Sequence, residues 1–290
     1  MRTQRLFFFL LVFEILLTSC STTKNLSRRG AQYVNKYDFY HKDIPKTFDG
    51  FRIAFISDLH YKSALQQAGL IKLIRQLQTV NPDLLLMGGD YQEGCQYVTE
   101  LFDQLSEVQP RFGIAGVMGN NDYERCHDEI VAEMQRHGMR VLEHACDTII
   151  KDGERIIIAG VRNPFDLKHN GVSPTLALKP QDFVILLTHT PDYVEDVDVS
   201  NTDLALAGHT HGGQVTFMGL YAPVVPSHYG KRFLKGKKKT SAEVPIIITN
   251  GIGTSSKKLR MFAPSEIIVI ELHCKSQESV RKENDSNRTE

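Results

Sequence analysis

The chain has 290 residues, 41% of them hydrophobic and 23% charged, the make-up of an ordinary globular protein with room for one large α/β domain or two small ones. Its 34 basic residues balance 34 acidic ones, so no global field argues for a nucleic-acid partner. Five cysteines without a C-x-x-C pair argue against a zinc ribbon or a redox motif, and leave Cys95, Cys126, Cys146 and Cys274 open between buried thiols and disulfide partners.

The N-terminus reads as a targeting segment. Arg2 and Arg5 precede an apolar run over residues 6–17, broken only by Glu14. The run is short for a membrane span and suits a signal-peptide h-region. It ends in Leu17-Thr18-Ser19-Cys20, which resembles the lipobox of bacterial lipoproteins, where the cysteine is acylated; an uncleaved signal anchor is the alternative. Either way residues 1–20 tether the chain to a membrane, with the domain expected on the periplasmic or extracytoplasmic side because the basic end stays inside. Residues 21–36 are polar and basic and are expected to be a linker.

The folded domain is expected over residues 37–274. Residues 51–56 are a short β-favouring run followed at once by Asp58 and His60. Ala68, Ile71, Ile74 and Leu77 then recur at helical spacing, and Asn81-Pro82-Asp83 stops the helix. Residues 84–87 read as a buried strand ending in Gly88-Gly89-Asp90. Val98, Leu101, Phe102, Leu105 and Val108 mark a second amphipathic helix. A strand within residues 112–118 ends in Gly119-Asn120-Asn121-Asp122, and a third helix with Ile130, Val131 and Met134 closes at Gly138. The second half is richer in strands: a hairpin around Asp152-Gly153, residues 183–187 ending in His189, residues 203–207 ending in Gly208-His209-Thr210-His211, and further strands at 214–217, 244–248 and 267–270. The charged tail, residues 275–290, is expected to be disordered. This order predicts an α/β sandwich of sheets with outer helices rather than a single doubly wound sheet.

Five apolar strands thus end in turns bearing metal ligands: Asp58 with His60, Asp90, Asn120, His189, and His209 with His211. Ligands gather at the carboxyl ends of strands in α/β sheets, and carboxylate, amide and imidazole donors together suit Mn, Fe or Zn rather than calcium. Singly, each residue is an ordinary turn former or buried polar group. As a set of seven they point to metal.

In the order D-x-H, G-D, G-N-x-D, H-T-P-D and G-H-T-H-G-G-Q, the chain resembles calcineurin-like metallophosphoesterases, most of all the membrane-anchored or exported bacterial branch that includes UDP-2,3-diacylglucosamine hydrolases. The likeness runs over residues 37–272. It implies the metallophosphoesterase sandwich of two mixed β-sheets flanked by helices. It also implies two divalent ions, one held by Asp58, His60, Asp90 and His211, the other by Asp90, Asn120, His189 and His209, with Asp90 bridging. A hydroxide bridging the ions would be the nucleophile. The implied substrate is a phosphorylated small molecule or lipid, such as a nucleotide-linked glycolipid of lipid A synthesis. Lipid A precursors arise at the cytoplasmic face, in conflict with the lipobox, so a cell-wall substrate is the alternative. A monomer is expected.

One position departs from the pattern. Most family members have histidine after the asparagine, whereas this chain has Asn121, which donates a hydrogen bond but transfers no proton near neutral pH. A preference for acidic leaving groups follows, as does the alternative of a metal-binding pseudo-enzyme. His127 and His228 are candidates to replace the missing acid. Asn121 and Asp122 are the catalytic candidates, Asp122 rather by fixing the turn than by binding metal. Arg260 stands where the branch places arginine, as a candidate phosphate contact or a structural ion pair. Gln214 either supports a ligand or begins a strand. The basic run of residues 231–239 either rests on a membrane surface or is a solvated loop.

Overall fold

Apolar strands buried on both faces dominate the computed structural model, which describes residues 30–218 and 221–275. They form two six-stranded sheets. Sheet I has the order β1 (Tyr33–His41), β12 (Glu266–Cys274), β2 (Phe51–Ile56), β3 (Leu84–Met87), β4 (Ile114–Gly116), β5 (Arg140–Val141). Sheet II has the order β10 (Gly236–Lys239), β11 (Pro245–Ile248), β9 (Leu204–Ala207), β8 (Val184–Leu187), β7 (Glu154–Gly160), β6 (Ala145–Lys151). Parallel and antiparallel pairs occur in both. This is the expected sandwich of two mixed sheets.

The period-two geometry of a strand explains its layers. On β2, Ile53 and Phe55 meet Leu206 and Ile247 of sheet II in the core between the sheets. Ala54 and Ile56 point the other way, into the helices that cover sheet I. Those helices are α1 (Gln67–Val80), α2 (Val98–Leu105) and α4 (His127–Arg136); the short α3 (Asn120–Glu124) precedes α4. The outer face of sheet II packs on α6 (Tyr193–Asp196) and Phe233, and α5 (Leu167–Asn170) lies before β8.

Several expectations need correcting. The domain starts earlier than residue 37, because β1 begins at Tyr33 and pairs with β12 from Glu266 onward; the end of the supposed linker is sheet. Helix α1 buries Leu70, Leu73, Ile74 and Leu77, while Ile71 stays exposed, so its core face is turned from the one the spacing suggested. Residues 214–217 make only isolated bridges, Val215 to Met261 and Phe217 to Tyr221, because Gln214 has a positive φ that breaks the extended chain. Within the basic run, Lys237, Lys238 and Lys239 lie on β10, an edge strand of sheet II, where charge blocks pairing with another chain. Cys95 and Cys126 are joined in a disulfide, whereas Cys146 and Cys274 are free. No helix among the described residues is long and apolar enough to cross a membrane; the apolar run 6–17, Cys20 and the tail from residue 276 lie outside the described residues.

Candidate metal centre

β2, β3, β4, β8 and β9 end at one edge of the sandwich, and the turn after each carries part of the site. The turns are tightly wound. Asp58, His60, Asp90, His209 and His211 all have φ between 39° and 67°, a region that costs a non-glycine residue about 1–2 kcal/mol. Bonds between turns hold them there. The Asp58 N–H donates to Gly89 O at 2.9 Å, the His60 N–H to Asp90 O at 3.0 Å and the Gly208 N–H to His189 O at 2.9 Å. The His209 N–H reaches both oxygens of the Asp58 carboxylate. Where turns touch, only glycine fits: a Cβ on Gly208 would collide with Asp58, and one on Gly119 with Asp90.

The side chains form two triads, Asp58 with His60 and His211, and Asp90 with His189 and His209, each offering ligand atoms within 4.8 Å of one another. Asp90 Oδ2 links them, 3.4 Å from His60 Nε2 and 3.5 Å from His189 Nε2. Asn120 lines the same cleft, and its Oδ1 is buried without a hydrogen-bond partner. The seven expected residues are therefore neighbours in space.

Whether ions fit can be judged from the donor set. His189 Nδ1 donates to Gly88 O at 2.7 Å, and His60 Nδ1 lies 2.6 Å from Glu93 Oε1. Both rings thus aim Nε2 into the site, the outer-partner arrangement usual for metal-binding histidines. There, His60 Nε2 faces His211 Nε2 and His189 Nε2 faces His209 Nδ1, each pair 3.2 Å apart. Each pair holds a proton or a cation between its two nitrogens. With the orphaned Asn120 oxygen, the cluster is rich in acceptors and short of donors, and it fits divalent ions.

Electrostatics agree. Burial pushes His189 down, yet Asp90 and Asp58 raise it to about 10. His60 is also raised, the Glu93 hydrogen bond and the Asp90 charge outweighing burial. Asp90, despite burial, is held below the usual carboxylate range by His189 and His60. Burial and then the His189 charge lower His209 to about 3; burial, His60 and Arg260 lower His211. The carboxylates thus favour the protonated form of His189 and His60, a balancing charge that bound cations would supply instead.

The remaining candidates fall elsewhere. Asp122 is fully buried and accepts from the N–H groups of Asp90 (2.7 Å), Tyr91 (3.0 Å) and Gly119 (2.9 Å). Burial and the Asp90 charge push it up to about 7 against the Gly119 and Tyr91 N–H groups. It pins the Asp90 turn to the Asn120 turn. Asn121 does related work: its backbone N–H donates to Asp90 Oδ1 at 2.9 Å and its amide to Gln92 O at 2.8 Å. Both are placed as positioning residues. Arg260 is not available to a substrate, because it is buried and every N–H is directed at the protein: Gly253 O, Ala263 O, Asn250 O, His211 O and His211 Nδ1. It fastens the loops behind His211. Gln214 exchanges hydrogen bonds with Ser255 and reaches Lys257 O. His127 is engaged with Asp128 and Glu143, and His228 lies at the rim beside His209. Sequence reasoning missed Glu93, whose one signal is a carboxylate three positions past Asp90, and Phe165, whose ring meets His209 edge-on at 5.0 Å.

Comparison with known proteins agrees with this geometry. The family model for calcineurin-like phosphoesterases matches residues 51–213. An uncharacterised metallophosphoesterase of Bacillus subtilis, YkuE, is 30% identical over 79% of this chain and 81% of its own length. An uncharacterised metallophosphoesterase of Campylobacter jejuni is 29% identical over 79% of this chain, which spans 61% of that relative's length. The phosphodiesterase YaeI of Escherichia coli is 28% identical over 77% of this chain and 82% of its own. The chain belongs to the calcineurin-like phosphoesterase family, hydrolases of phosphoesters.

Proposed function

We propose that this hydrolase cleaves phosphodiester or pyrophosphate bonds with two divalent ions, Mn, Fe or Zn. Asp58, His60 and His211 would hold one; Asn120, His189 and His209 would hold the other; Asp90 would be shared. The supporting observation is the Asp90 Oδ2 atom, within 3.5 Å of a histidine nitrogen of each triad. Ions bound there would polarise a phosphate oxygen and lower the pKa of a water. The chain's own contribution is positioning. Glu93 and Gly88 aim the imidazole nitrogens, Asp122 and Asn121 hold the Asp90 turn, and Arg260 backs His211.

Substrate preference follows from Asn121. With no proton donor at this position, the site favours leaving groups that are already acidic, such as the phosphate released from a pyrophosphate. A nucleotide-linked glycolipid such as UDP-2,3-diacylglucosamine has that chemistry. Membrane tethering through Cys20 and residence outside the cytoplasm belong to the same proposal. The Cys95–Cys126 bridge supports residence outside the cytoplasm, because disulfides persist in oxidising compartments. That compartment favours an envelope substrate over a lipid A precursor.

On bis(p-nitrophenyl) phosphate the chain is expected to turn over with Mn²⁺, and His209→Ala to abolish turnover. Absence of metal-dependent hydrolysis of any phosphoester would sink the proposal. A non-catalytic metal-binding protein is the second reading, favoured by Asn121, and hydrolysis by Asn121→His alone, on every substrate, would establish it.

A further inference from the structure

We infer that the mouth of the metal cleft is a membrane-docking surface, with Phe217, Met218, Tyr221, Val224 and Phe262 dipping into an anionic phospholipid bilayer. This goes beyond tethering by the N-terminus, because it assigns the folded domain a second contact and an orientation.

Three observations carry it. First, Phe217, Met218, Tyr221, Val224 and Phe262 are large apolar side chains with 51–73% of their surface in solvent. They come from two segments joined side by side. Phe217 and Tyr221 bridge each other, Val215 pairs with Met261, and the Thr216 hydroxyl donates to Met261 O and Phe262 O. A contiguous patch of this kind, unlike scattered apolar residues, marks an interaction site. It also walls the cleft, which Val215, Pro223 and Val224 line together with Asp90, His209 and His211.

Second, the patch is framed by positive charge. Lys231 stands over the Tyr221 ring at 4.3 Å, and Lys257 and Lys258 are exposed on the neighbouring loop. Residues 213–226 and 255–263 contain no acidic side chain. Apolar and aromatic tips ringed by lysine match the acyl boundary and the anionic headgroups of a bilayer.

Third, the chain enters the fold on this side. Gly30 O accepts from the Ser265 hydroxyl and the Gln32 N–H donates to Ser265 O, three residues from Phe262. β1 runs parallel to β12 and β12 antiparallel to β2, so β1 starts at the edge of the sandwich where β2 delivers Asp58. Upstream, the sequence carries the apolar run of residues 6–17. A tether arriving here brings the cleft, rather than the opposite end, to the bilayer.

The chain has no tryptophan, so a single introduced tryptophan is a clean reporter. The full chain is reconstituted into vesicles of phosphatidylethanolamine and phosphatidylglycerol, some with brominated acyl chains. Phe217→Trp and Phe262→Trp are expected to emit at shorter wavelength and to be quenched by the brominated lipid. Ile150→Trp, exposed on β6 at the far end of the sandwich, is expected to show neither effect. Quenching at 217 and 262 is expected to fall in phosphatidylcholine vesicles; equal quenching there would overturn the role of charge. Unquenched emission at 217 and 262 in both vesicle types, or a blue shift that follows protein concentration without lipid, would overturn docking, the latter in favour of a second copy of the chain. Hydrolysis of soluble bis(p-nitrophenyl) phosphate by the same variants reports the metal site separately, so failure of docking and failure of the catalytic proposal are distinguishable.

Discussion

Glu93 shows how a residue outside the motifs governs those inside them. Its carboxylate fixes the His60 ring, and loss of such outer partners typically costs 10–100-fold in metal affinity. Glu93→Gln is therefore expected to weaken Mn²⁺ binding by about 10–100-fold, read by calorimetric titration, with the far-UV spectrum unchanged; unaltered affinity would show that the hydrogen bond does not matter. At Asn121 the expectation runs the other way. General acid catalysis is worth about 10²–10⁴-fold, so Asn121→His is expected to raise turnover of alkyl phosphates by about 10²-fold while changing bis(p-nitrophenyl) phosphate little. A similar gain on both substrates would refute the leaving-group argument. The seven ligand candidates were legible because each sits in the polar turn directly after an apolar strand. Glu93 and the inward role of Arg260 were not, since nothing local marks which way a side chain points.

Among the elements, α6 and β10 illustrate contacts that periodicity cannot foresee. Glu195 on α6 binds Arg232 at 2.7 Å and the Ser241 N–H at 2.9 Å, so the helix anchors both ends of the basic segment. Burial opposes ionisation of Glu195, but Ser241 and Arg232 outweigh it and leave its pKa lowered. A lowered carboxylate contributes stability above its unfolded value, about 4.3, and loses that contribution as pH falls through the folded one. The stability difference between the wild type and Glu195→Gln, about 1 kcal/mol near neutral pH, is thus expected to shrink below pH 4. Urea melts at pH 7 and pH 3.5 test this, and a constant difference would contradict it. The buried strands β2, β3, β8, β9 and β11 were readable from runs of apolar residues, whereas β1 and the charged β10 were not. The misjudged face of α1 has a physical cause: Ile71 and Leu70 are adjacent in sequence, and only the direction of the sheet beneath chooses between them.

For the molecule as a whole, the disulfide ties the segment after Asp90 to the segment after Asn120 across 31 residues of sequence. Closing a loop of that length is worth about 3–4 kcal/mol in the chain-entropy account. Replacing both cysteines by serine is expected to lower Tm by about 10 °C, measured calorimetrically with metal present, and reductant is expected to have the same effect on the wild type. A Tm indifferent to both would deny the bridge a stabilising role. Local pattern carried the architecture a long way. Strand, turn and helix signals extend over a few residues, and five ligand-bearing turns in order left few arrangements open. Contacts between distant segments lay beyond it: the choice of Cys126 as the partner of Cys95, the burial of Arg260 and the bonding of Thr216 to Met261 and Phe262 at the cleft mouth. Each depends on distances between residues far apart in the chain, which only the packing of the two sheets determines.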